Sequence, residues 1–509
     1  MSVDVDTRPI TGVGEHPPYE EGTRPLPGRP GPRRPGVRVS GRTTWAAALV
    51  VDVAALVTVP DGLSLDARLA LLAFGVATVL WTLTDLDAGY VALGAGVLAT
   101  VPVGGQDALF ASLGNDVVWL VVGAFVVGGA LARSGLAGRL TAAVVGRART
   151  VGGTFWLVTA AIVPLAFLVP STSGRAAVLL PVHRALGEHL DGPRTGHGDR
   201  GSERRVTRAL ALLVPSVVLV STVGTLVGAT SHLVAVDLLH QATGETISYA
   251  AWALWGMPFA IAASALTCLA VQLLFLRRDE RRRAVAVPAV ERAPWSRAER
   301  VAGAVLGLAL AGWLTEPLHG LEIATVTLLA ALALCAPAVG VMTWKEGLGE
   351  VSWSLVLFVA GALALGGALV SSGAGDWVVG GLFALSGVQD LASPLAVVAV
   401  LALLSATAHL YVTSHTVRAI ALVPPSLYLA ASLDLDAVAV VFLVSTGIDY
   451  CLTLPVSSKA LLVFADADDR GDGFAPRDLL RLSAVLLPAW VALVVVTYEV
   501  WWSRTGLAL

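Results

Sequence analysis

Apolar runs long enough to cross a lipid bilayer recur along this chain from Trp45 to Trp502. A spanning helix needs about 20 mostly apolar residues, and because lipid offers the backbone no hydrogen bonds, only helices and closed barrels can cross it. The chain is 56% hydrophobic and 14% charged, whereas a soluble domain carries about 25% charged residues. We therefore predict an all-α polytopic membrane protein with about 11 transmembrane helices. The predicted spans lie near 44–60, 66–83, 88–103, 116–134, 207–241, 249–276, 301–315, 320–339, 351–371, 436–465 and 477–502.

Two basic segments mark the predicted limits of the transmembrane repeats. Residues 1–43 are rich in proline, glycine and arginine and lack the apolar core of a signal peptide, which predicts a disordered basic tail held in the cytoplasm. Residues 277–300 contain eight arginines and predict a basic cytoplasmic loop. We therefore expect a multi-pass protein of the inner cell membrane with a cytoplasmic N-terminus, built from transmembrane repeats at 44–276 and 301–509.

Two similar polar segments interrupt the apolar runs: Ser-Thr-Ser-Gly-Arg at 171–175 and Ser-His-Thr-Val-Arg at 414–418. The apolar arm before the first has about 15 residues and spans only ~22 Å as a helix, less than the ~30 Å hydrocarbon core. Backbone that leaves the helix at membrane depth must lie against protein or water. The pattern predicts two re-entrant hairpins, at 153–187 and 393–431, each with a polar tip.

The charges of the flanking loops give the two hairpins opposite orientations. Arginines flank the first hairpin at 138–150 and 188–208, whereas aspartates and no basic residue flank the second at 372–392 and 426–436. The first hairpin is therefore expected to open from the cytoplasm and the second from the outside. Two similar hairpins that enter from opposite faces predict an inverted repeat, with a broken helix after each hairpin.

At these residues the chain resembles the divalent anion:sodium symporter family, whose two hairpin tips each carry a Ser-Asn-Thr motif. Here Ser-Thr-Ser at 171–173 and Ser-His-Thr at 414–416 replace both asparagines. The Gly-Thr-Leu-Ile-Gly-Thr-Pro-Pro-Asn motif of the family's broken helix is similar to Gly-Thr-Leu-Val-Gly-Ala-Thr-Ser-His at 224–232, and the second copy reads Leu-Pro-Val-Ser-Ser-Lys at 454–459. The resemblance covers about residues 44–502.

The resemblance implies a homodimeric, elevator-type transporter of dicarboxylates, tricarboxylates or sulfate, usually moved with sodium. In that family the tips and the carbonyls of the broken helices hold sodium, and the tips also contact the substrate. The substrate-binding residues carried over in this way are Ser171, Thr172, Ser173, Ser414, His415, Thr416, Thr230, Ser457 and Ser458. The sodium ligands carried over are Ser171, Thr172, Gly228, Ser414 and His415.

Arg175 and Arg418 follow the two tips and are basic where the family motif is not. An arginine at membrane depth costs about 2.5–3.5 kcal/mol on insertion scales, so it needs a reason to be there. One reading is a symmetric pair of guanidinium forks for a carboxylate or sulfate, which adds both residues to the substrate-binding set. The other is snorkelling to a water boundary or pairing with a structural carboxylate.

Lys459 stands in the second predicted helix break, with Asp449 shortly before it in an apolar run. A structural Asp449–Lys459 pair and a Lys459 ammonium that replaces a sodium ion both fit this spacing. A buried lysine shifts its pKa readily, and His232 and His415 stand where the family has asparagine. Histidine as a residue type ordinarily titrates near neutral pH. Coupling to protons, or exchange of anions, is therefore an alternative to coupling to sodium.

The sequence predicts a permease rather than an enzyme, since it contains no His-Glu-x-x-His motif and no nucleophile elbow. The expected partners are a small divalent anion, the lipid bilayer and a second copy of the chain, with no nucleic acid. No cofactor is expected, and sodium is the one candidate metal because the three cysteines lack metal-ligand spacing. The alternatives are a permease for another anion, such as arsenite, citrate or a sulfonate, and an anion channel.

Overall fold

A computed structural model of the chain describes most of the predicted membrane part, together with the loops that connect it. The described residues are 49–50, 63–84, 86–103, 105–168, 172–190, 200–285, 294–374, 377, 393–410, 412, 414–465 and 473–509. The tail predicted over residues 1–43 and the tip residue Ser171 lie outside these ranges.

Within the described residues the regular elements are helices, which confirms the all-α prediction. The first half contains α1 (Leu65–Leu83), α2 (Ala88–Thr100), α3 (Gln106–Leu113), α4 (Asp116–Ser134), α5 (Leu136–Val145), α6 (Val151–Ile162), α7 (Leu165–Leu168), α8 (Thr172–Leu190), α9 (Arg200–Val220), α10 (Thr230–Thr243) and α11 (Tyr249–Phe275). The second half contains α12 (Arg278–Arg282), α13 (Arg297–Leu314), α14 (Glu316–His319), α15 (Ile323–Leu334), α16 (Trp344–Glu350), α17 (Trp353–Ser371), α18 (Pro394–Thr407), α19 (His415–Ser432), α20 (Ala437–Ile448), α21 (Lys459–Ala465) and α22 (Pro476–Val500).

Local side chains explain where several of these helices begin and end. Asn115 accepts a hydrogen bond from the backbone of Val117 at the start of α4, and Ser248 does the same for α11. Such caps satisfy N–H groups that have no partner inside the helix. Gly135 ends α4 with a φ of 77° and Gly244 ends α10 with a φ of 76°, a left-handed conformation that glycine adopts without a Cβ clash.

Five stretches among the described residues are long and apolar enough to cross a membrane by length and composition: Gln106–Ser134, Arg205–Gly224, Tyr249–Phe275, Trp353–Ser371 and Pro476–Arg504. Shorter apolar stretches lie at Ala88–Thr100, Val151–Phe167, Ile323–Leu334, Pro394–Leu410 and Ala437–Ile448. Lengths and compositions of this kind agree with a polytopic membrane protein.

Each half contains a helix that breaks and resumes. After α9 the chain forms two 3₁₀ turns, Ser221–Gly224 and Leu226–Gly228, before α10 begins. After α20 the chain has no regular secondary structure until the 3₁₀ turn Pro455–Ser457, and then α21 begins. We call these two segments the first and second helix breaks.

The two halves pack across one another around these breaks. Helix α10, which follows the first break, packs on α19 and α20 of the second half. Helix α21, which follows the second break, packs on α8 and α9 of the first half. The helix that follows each polar tip therefore packs on the helix that follows the break of the other half.

Candidate anion-binding site

Both polar tips and both helix breaks line a single cavity of about 1040 Å³. Its wall also includes a glycine-rich stretch of α4, with Gly128 and Gly129. The polar or tip-derived lining residues are Thr172, Ser173, Gly174, Thr230, Ser231, Ser414, His415, Thr416, Ser457, Ser458 and Lys459. The predicted substrate-binding residues of the tips and breaks that the structure describes, other than the two arginines, thus line the same cavity. Their roles as ligands stay predictions.

Four helices begin at the cavity wall, namely α8, α10, α19 and α21, whose first residues are Thr172, Thr230, His415 and Lys459. The first turn of a helix has N–H groups without intrahelical partners and a partial positive charge, which favours anions. Ser414 also caps α19, where its side chain accepts a hydrogen bond from the Val417 N–H at 3.4 Å. The wall is therefore suited to an oxyanion.

Two buried serine hydroxyls on the cavity wall have no hydrogen-bond partner among the described residues. These are Ser231, directly after the first break, and Ser457, in the second. A buried hydroxyl without a partner is destabilising, so each is suited to a ligand. Ser457 was predicted from sequence, whereas Ser231 was not. The sequence feature that could have identified Ser231 is its position beside Thr230 in the break motif.

Lys459 contributes an exposed ammonium to the cavity and forms no ion pair with Asp449. Glu350 lines the same cavity, but its carboxylate is paired at 3.0 Å with Arg133, which also contacts Glu346 at 3.0 Å. The alternative of an Asp449–Lys459 pair is therefore wrong for this structure. Lys459 instead remains available to a bound anion.

Arg175 lies behind the cavity wall rather than in it, because its side chain is fully buried and bonds to the first helix break. Its Nη2 donates to Thr222 Oγ1 at 2.9 Å and to the Gly228 carbonyl at 3.1 Å, and its Nη1 donates to Ser221 Oγ at 3.4 Å. A Cβ at Gly228 would lie 2.5 Å from the Thr222 carbonyl oxygen, so the turn that presents this carbonyl requires glycine. Gly228 was expected to hold a cation, and its carbonyl here holds a guanidinium.

Arg418 has the corresponding position in the second half. It is fully buried, and its Nη1 donates to the Tyr450 carbonyl at 3.4 Å. In the described part of the chain, neither Arg418 nor Arg175 forms an ion pair with a carboxylate. The hypothesis that the two arginines fork a bound anion stays a prediction, since the structure places both guanidinium groups behind the described cavity lining.

A buried polar bridge joins the two breaks. His232 Nε2 lies 2.8 Å from Asp449 Oδ2, and His232 Nδ1 lies 3.1 Å from the Thr225 carbonyl oxygen. On the other side of Asp449, Oδ1 lies 3.8 Å from His415 Nδ1, and His415 Nε2 lies 3.3 Å from Cys451 Sγ. Asp449 and His232 are fully buried and do not reach the cavity, whereas His415 does.

The pair formed by His232 and Asp449 within this bridge is neutral as a unit. A carbonyl oxygen only accepts, so His232 Nδ1 donates to Thr225. The contact with Asp449 then requires one more proton, either on Nε2 of an imidazolium or on the carboxyl group. In both cases His232 and Asp449 together carry no net charge.

Comparisons with known proteins place these features in a family context. A family model described as the sodium:sulfate symporter transmembrane region matches residues 42–507. A membrane protein of Cupriavidus necator is 26% identical over 495 residues, which cover 91% of this chain and 92% of that protein. The sodium-dependent dicarboxylate transporter SdcS of Staphylococcus saprophyticus is 23% identical over 78% of this chain and 80% of its own length.

A solved structure is similar in fold. The crystal structure of the Alcanivorax borkumensis YdaH transporter aligns with a TM-score of 0.54 and covers 87% of this chain and 99% of that chain. The aligned residues are 17% identical, so this likeness concerns the fold alone.

Proposed function

This chain belongs to the divalent anion:sodium symporter family, and from that premise we propose that it is a secondary active transporter of small divalent anions such as dicarboxylates or sulfate. The family resemblance stated from the tips and breaks is thereby confirmed. The family consists of membrane transporters, in agreement with the expectation that the chain is not an enzyme.

The main support for this substrate class is that residues of both tips and both breaks line one cavity. Helix N-termini, unpartnered hydroxyls at Ser231 and Ser457, and the Lys459 ammonium are all groups that bind oxyanions. A carboxylate or sulfate group held by the tips would satisfy donors that otherwise lack partners. The relative from Staphylococcus saprophyticus carries the name of a dicarboxylate transporter, which supports the same class.

The proposed mechanism is elevator-type alternating access in a homodimer of the inner cell membrane. Two re-entrant hairpins would enter from opposite faces in an inverted repeat and would move with the bound anion against a fixed frame. The wall of the cavity on α4, at Gly128 and Gly129, is a candidate part of that frame. Glu350, which lines the cavity, is paired with Arg133 in the last turn of α4. This end of α4 leads into the basic segment at 138–150, which is expected to be cytoplasmic. The cavity would therefore open to the cytoplasm, where the N-terminus is also expected.

A ligand panel on the purified full-length chain tests this function. Thermal unfolding would be followed with succinate, sulfate, citrate, arsenite and a sulfonate, each with sodium chloride and with choline chloride. Stabilisation by dicarboxylates or sulfate, followed by uptake of the same labelled anion into proteoliposomes, supports the proposal. Selective stabilisation by arsenite or a sulfonate would change the substrate class. Single-channel currents far above carrier rates would instead identify an anion channel.

A further inference from the structure

Asp87 is held between the first turns of two helices. It caps α2, where its side chain accepts hydrogen bonds from the N–H groups of Gly89 and Tyr90 at 2.9 and 3.1 Å. The Ser354 hydroxyl, at the start of α17, lies 2.6 Å from one oxygen of the same carboxylate and 2.7 Å from the other. A Cβ at Gly89 would lie 2.3 Å from the Ser354 carbonyl oxygen, so the two helix starts are in close contact. The Asp87 carboxylate is therefore fixed to α17.

The start of α17 is also part of the cavity wall. Leu355, the residue after Ser354, lines the cavity together with Lys459. Hydrogen bonds from the Ser354 hydroxyl and the Tyr90 N–H lower the pKa of Asp87 below its ordinary value of 3.8, and the charge of Lys459 acts in the same direction. The exposed Asp87 carboxylate therefore lies at the rim of the cavity, within reach of the charge of Lys459.

The carboxylate of Asp87 has no other cation to balance it. Among the described residues it forms no ion pair. Glu350, which lines the cavity, is paired with Arg133 at 3.0 Å, so its charge is already offset. Of these two carboxylates, Asp87 is the one whose charge is left to act on Lys459.

Asp87 and Lys459 belong to parts of the protein that would move relative to one another. Helix α2 packs on α17, and α17 packs on α4, the candidate part of the fixed frame. Lys459 instead begins α21, directly after the second break. From a cytoplasmic N-terminus, the spans predicted at 44–60 and 66–83 return the chain to the cytoplasm just before Asp87. The carboxylate thus lies on the side to which the cavity is expected to open.

We propose that Asp87 is a fixed counter-charge that attracts Lys459 in the empty cavity and competes with the anion for it, which lowers anion affinity at the cytoplasmic mouth. This inference rests on the proposed anion transport and names an affinity-setting residue outside the tips and breaks. A carboxylate or sulfate that binds Lys459 has to offset its attraction to Asp87. A ligand and a competing contact that share one group weaken each other reciprocally. Weaker binding on this face favours release of the anion into the cytoplasm.

Removal of the Asp87 charge should therefore raise the affinity for anions. In Asp87→Asn the amide oxygen still accepts the cap hydrogen bonds, because asparagine and aspartate are comparable N-caps. Charges near a protein surface that are not in direct contact change a binding constant by about 3- to 10-fold, and we expect a gain of this size. The gain should shrink in ~1 M salt, where the screening length is ~3 Å.

Calorimetric titration of the purified full-length chain with succinate and with sulfate measures the effect. Asp436→Asn is the matched control, because Asp436 is an exposed aspartate that caps α20 outside the cavity, and this variant should bind as the wild type does. Asp87→Ser replaces the aspartate with a second neutral cap and should give the same gain. Gel filtration and thermal unfolding check that each variant is folded.

A double-mutant cycle with Lys459→Gln tests whether Asp87 acts through Lys459. In the Lys459→Gln background, Asp87→Asn should change the affinity by less than about twofold, because the counter-charge has lost its partner. Thermal stabilisation by the same two anions gives the affinity of variants whose heat of binding is too small. A purely structural role of Asp87 would depend neither on Lys459 nor on salt.

The possible failures are distinguishable. Folded Asp87→Asn and Asp87→Ser proteins that bind succinate and sulfate no more tightly than Asp436→Asn would overturn the inference and leave anion binding intact. An equal gain with and without the Lys459 ammonium, or a gain that persists unchanged in ~1 M salt, would also overturn it. A wild-type protein that binds no anion of the panel would instead remove the proposed function, and the inference with it.

Discussion

His232 and Asp449 are 217 residues apart in the chain and form a fully buried contact of 2.8 Å that joins the two helix breaks. Asp449 lies where the second break begins, and His232 lies shortly after the first break. Their contact therefore fixes one break against the other. His232 also lies against Trp252, with ring centroids 4.6 Å apart, which holds the imidazole in place. This polar pair therefore links the two helix breaks across the two halves of the chain.

Asp449→Asn should destabilise the protein strongly. The amide keeps the size of the side chain but removes the negative charge that an imidazolium at His232 needs. Loss of one partner of a buried pair costs about 3–5 kcal/mol. Thermal unfolding in detergent measures the effect. Asp434→Asn, at an exposed carboxylate, is the control and should unfold as the wild type does. Equal unfolding of the two variants would mean that the bridge adds nothing to stability.

The positions of the helices could be predicted from sequence because each apolar run has to match the thickness of a bilayer. The span predicted at 116–134 is α4, Asp116–Ser134, and the span predicted at 249–276 is α11, Tyr249–Phe275. The breaks could also be predicted, since glycine, proline and hydroxyl residues interrupt those runs. Tip and break residues then had to meet, because membrane-depth polar groups need polar partners.

The directions of the buried charged side chains could not be predicted in the same way. Arg175 and Arg418 follow the tips, and both an anion and the oxygens of a break are chemically suitable partners. The choice depends on how the arms pack against the breaks, which is a long-range property. The pairing of Asp449 with His232 rather than Lys459 likewise depends on the packing of α10 against α20.

Removal of the unpartnered hydroxyls should weaken anion binding without lowering the stability of the protein. In Ser457→Ala and Ser231→Ala, anion affinity should fall by about fivefold, because a hydrogen bond contributes about 1 kcal/mol. Stability without ligand should stay level or rise, since a buried polar group without a partner is removed. Calorimetric titration and thermal unfolding measure the two effects. Ser264→Ala removes an equally unpartnered buried hydroxyl outside the cavity and should leave affinity unchanged. Wild-type affinity in Ser457→Ala would exclude that serine as a ligand.

The crossing of α2 and α17 depends on a glycine. A Cβ at Gly361 would lie 2.5 Å from the backbone carbon of Ala92, so Gly361→Ala must push the two helices apart. Overpacking of this kind costs about 1–3 kcal/mol. Gly94 on α2 has open space around its Cβ position, and Gly94→Ala should be neutral or slightly stabilising. Thermal unfolding of both variants is the measurement, and equal unfolding temperatures would contradict the close contact.

Acidic pH should loosen the ion pairs at the end of α4. Hydrogen bonds from the backbone and hydroxyl of Thr343, together with the nearby Arg133, lower the pKa of Glu346 below its ordinary value of 4.5. A lowered pKa in the folded state stabilises the fold above the ordinary value, and this stabilisation is lost as the pH falls through the folded-state pKa. Wild type should therefore lose slightly more thermal stability than Glu346→Gln between neutral pH and pH values below 4.5. Parallel pH profiles of the two proteins would show that the pair does not contribute.

Lys459 should govern affinity for the anion through its charge. Its ammonium is exposed in the cavity and has no ion pair among the described residues, so a bound carboxylate or sulfate is its natural partner. A hydrogen bond to a charged group contributes about 1.5–3 kcal/mol, so Lys459→Gln should weaken binding by about 10- to 100-fold. Lys345→Gln is the matched control, because Lys345 is the only other lysine of the chain and is exposed outside the cavity. Calorimetric titration with the best anion of the panel measures both variants. A Lys459→Gln protein that is folded and binds as tightly as Lys345→Gln would show that the anion is held by the tips and breaks alone.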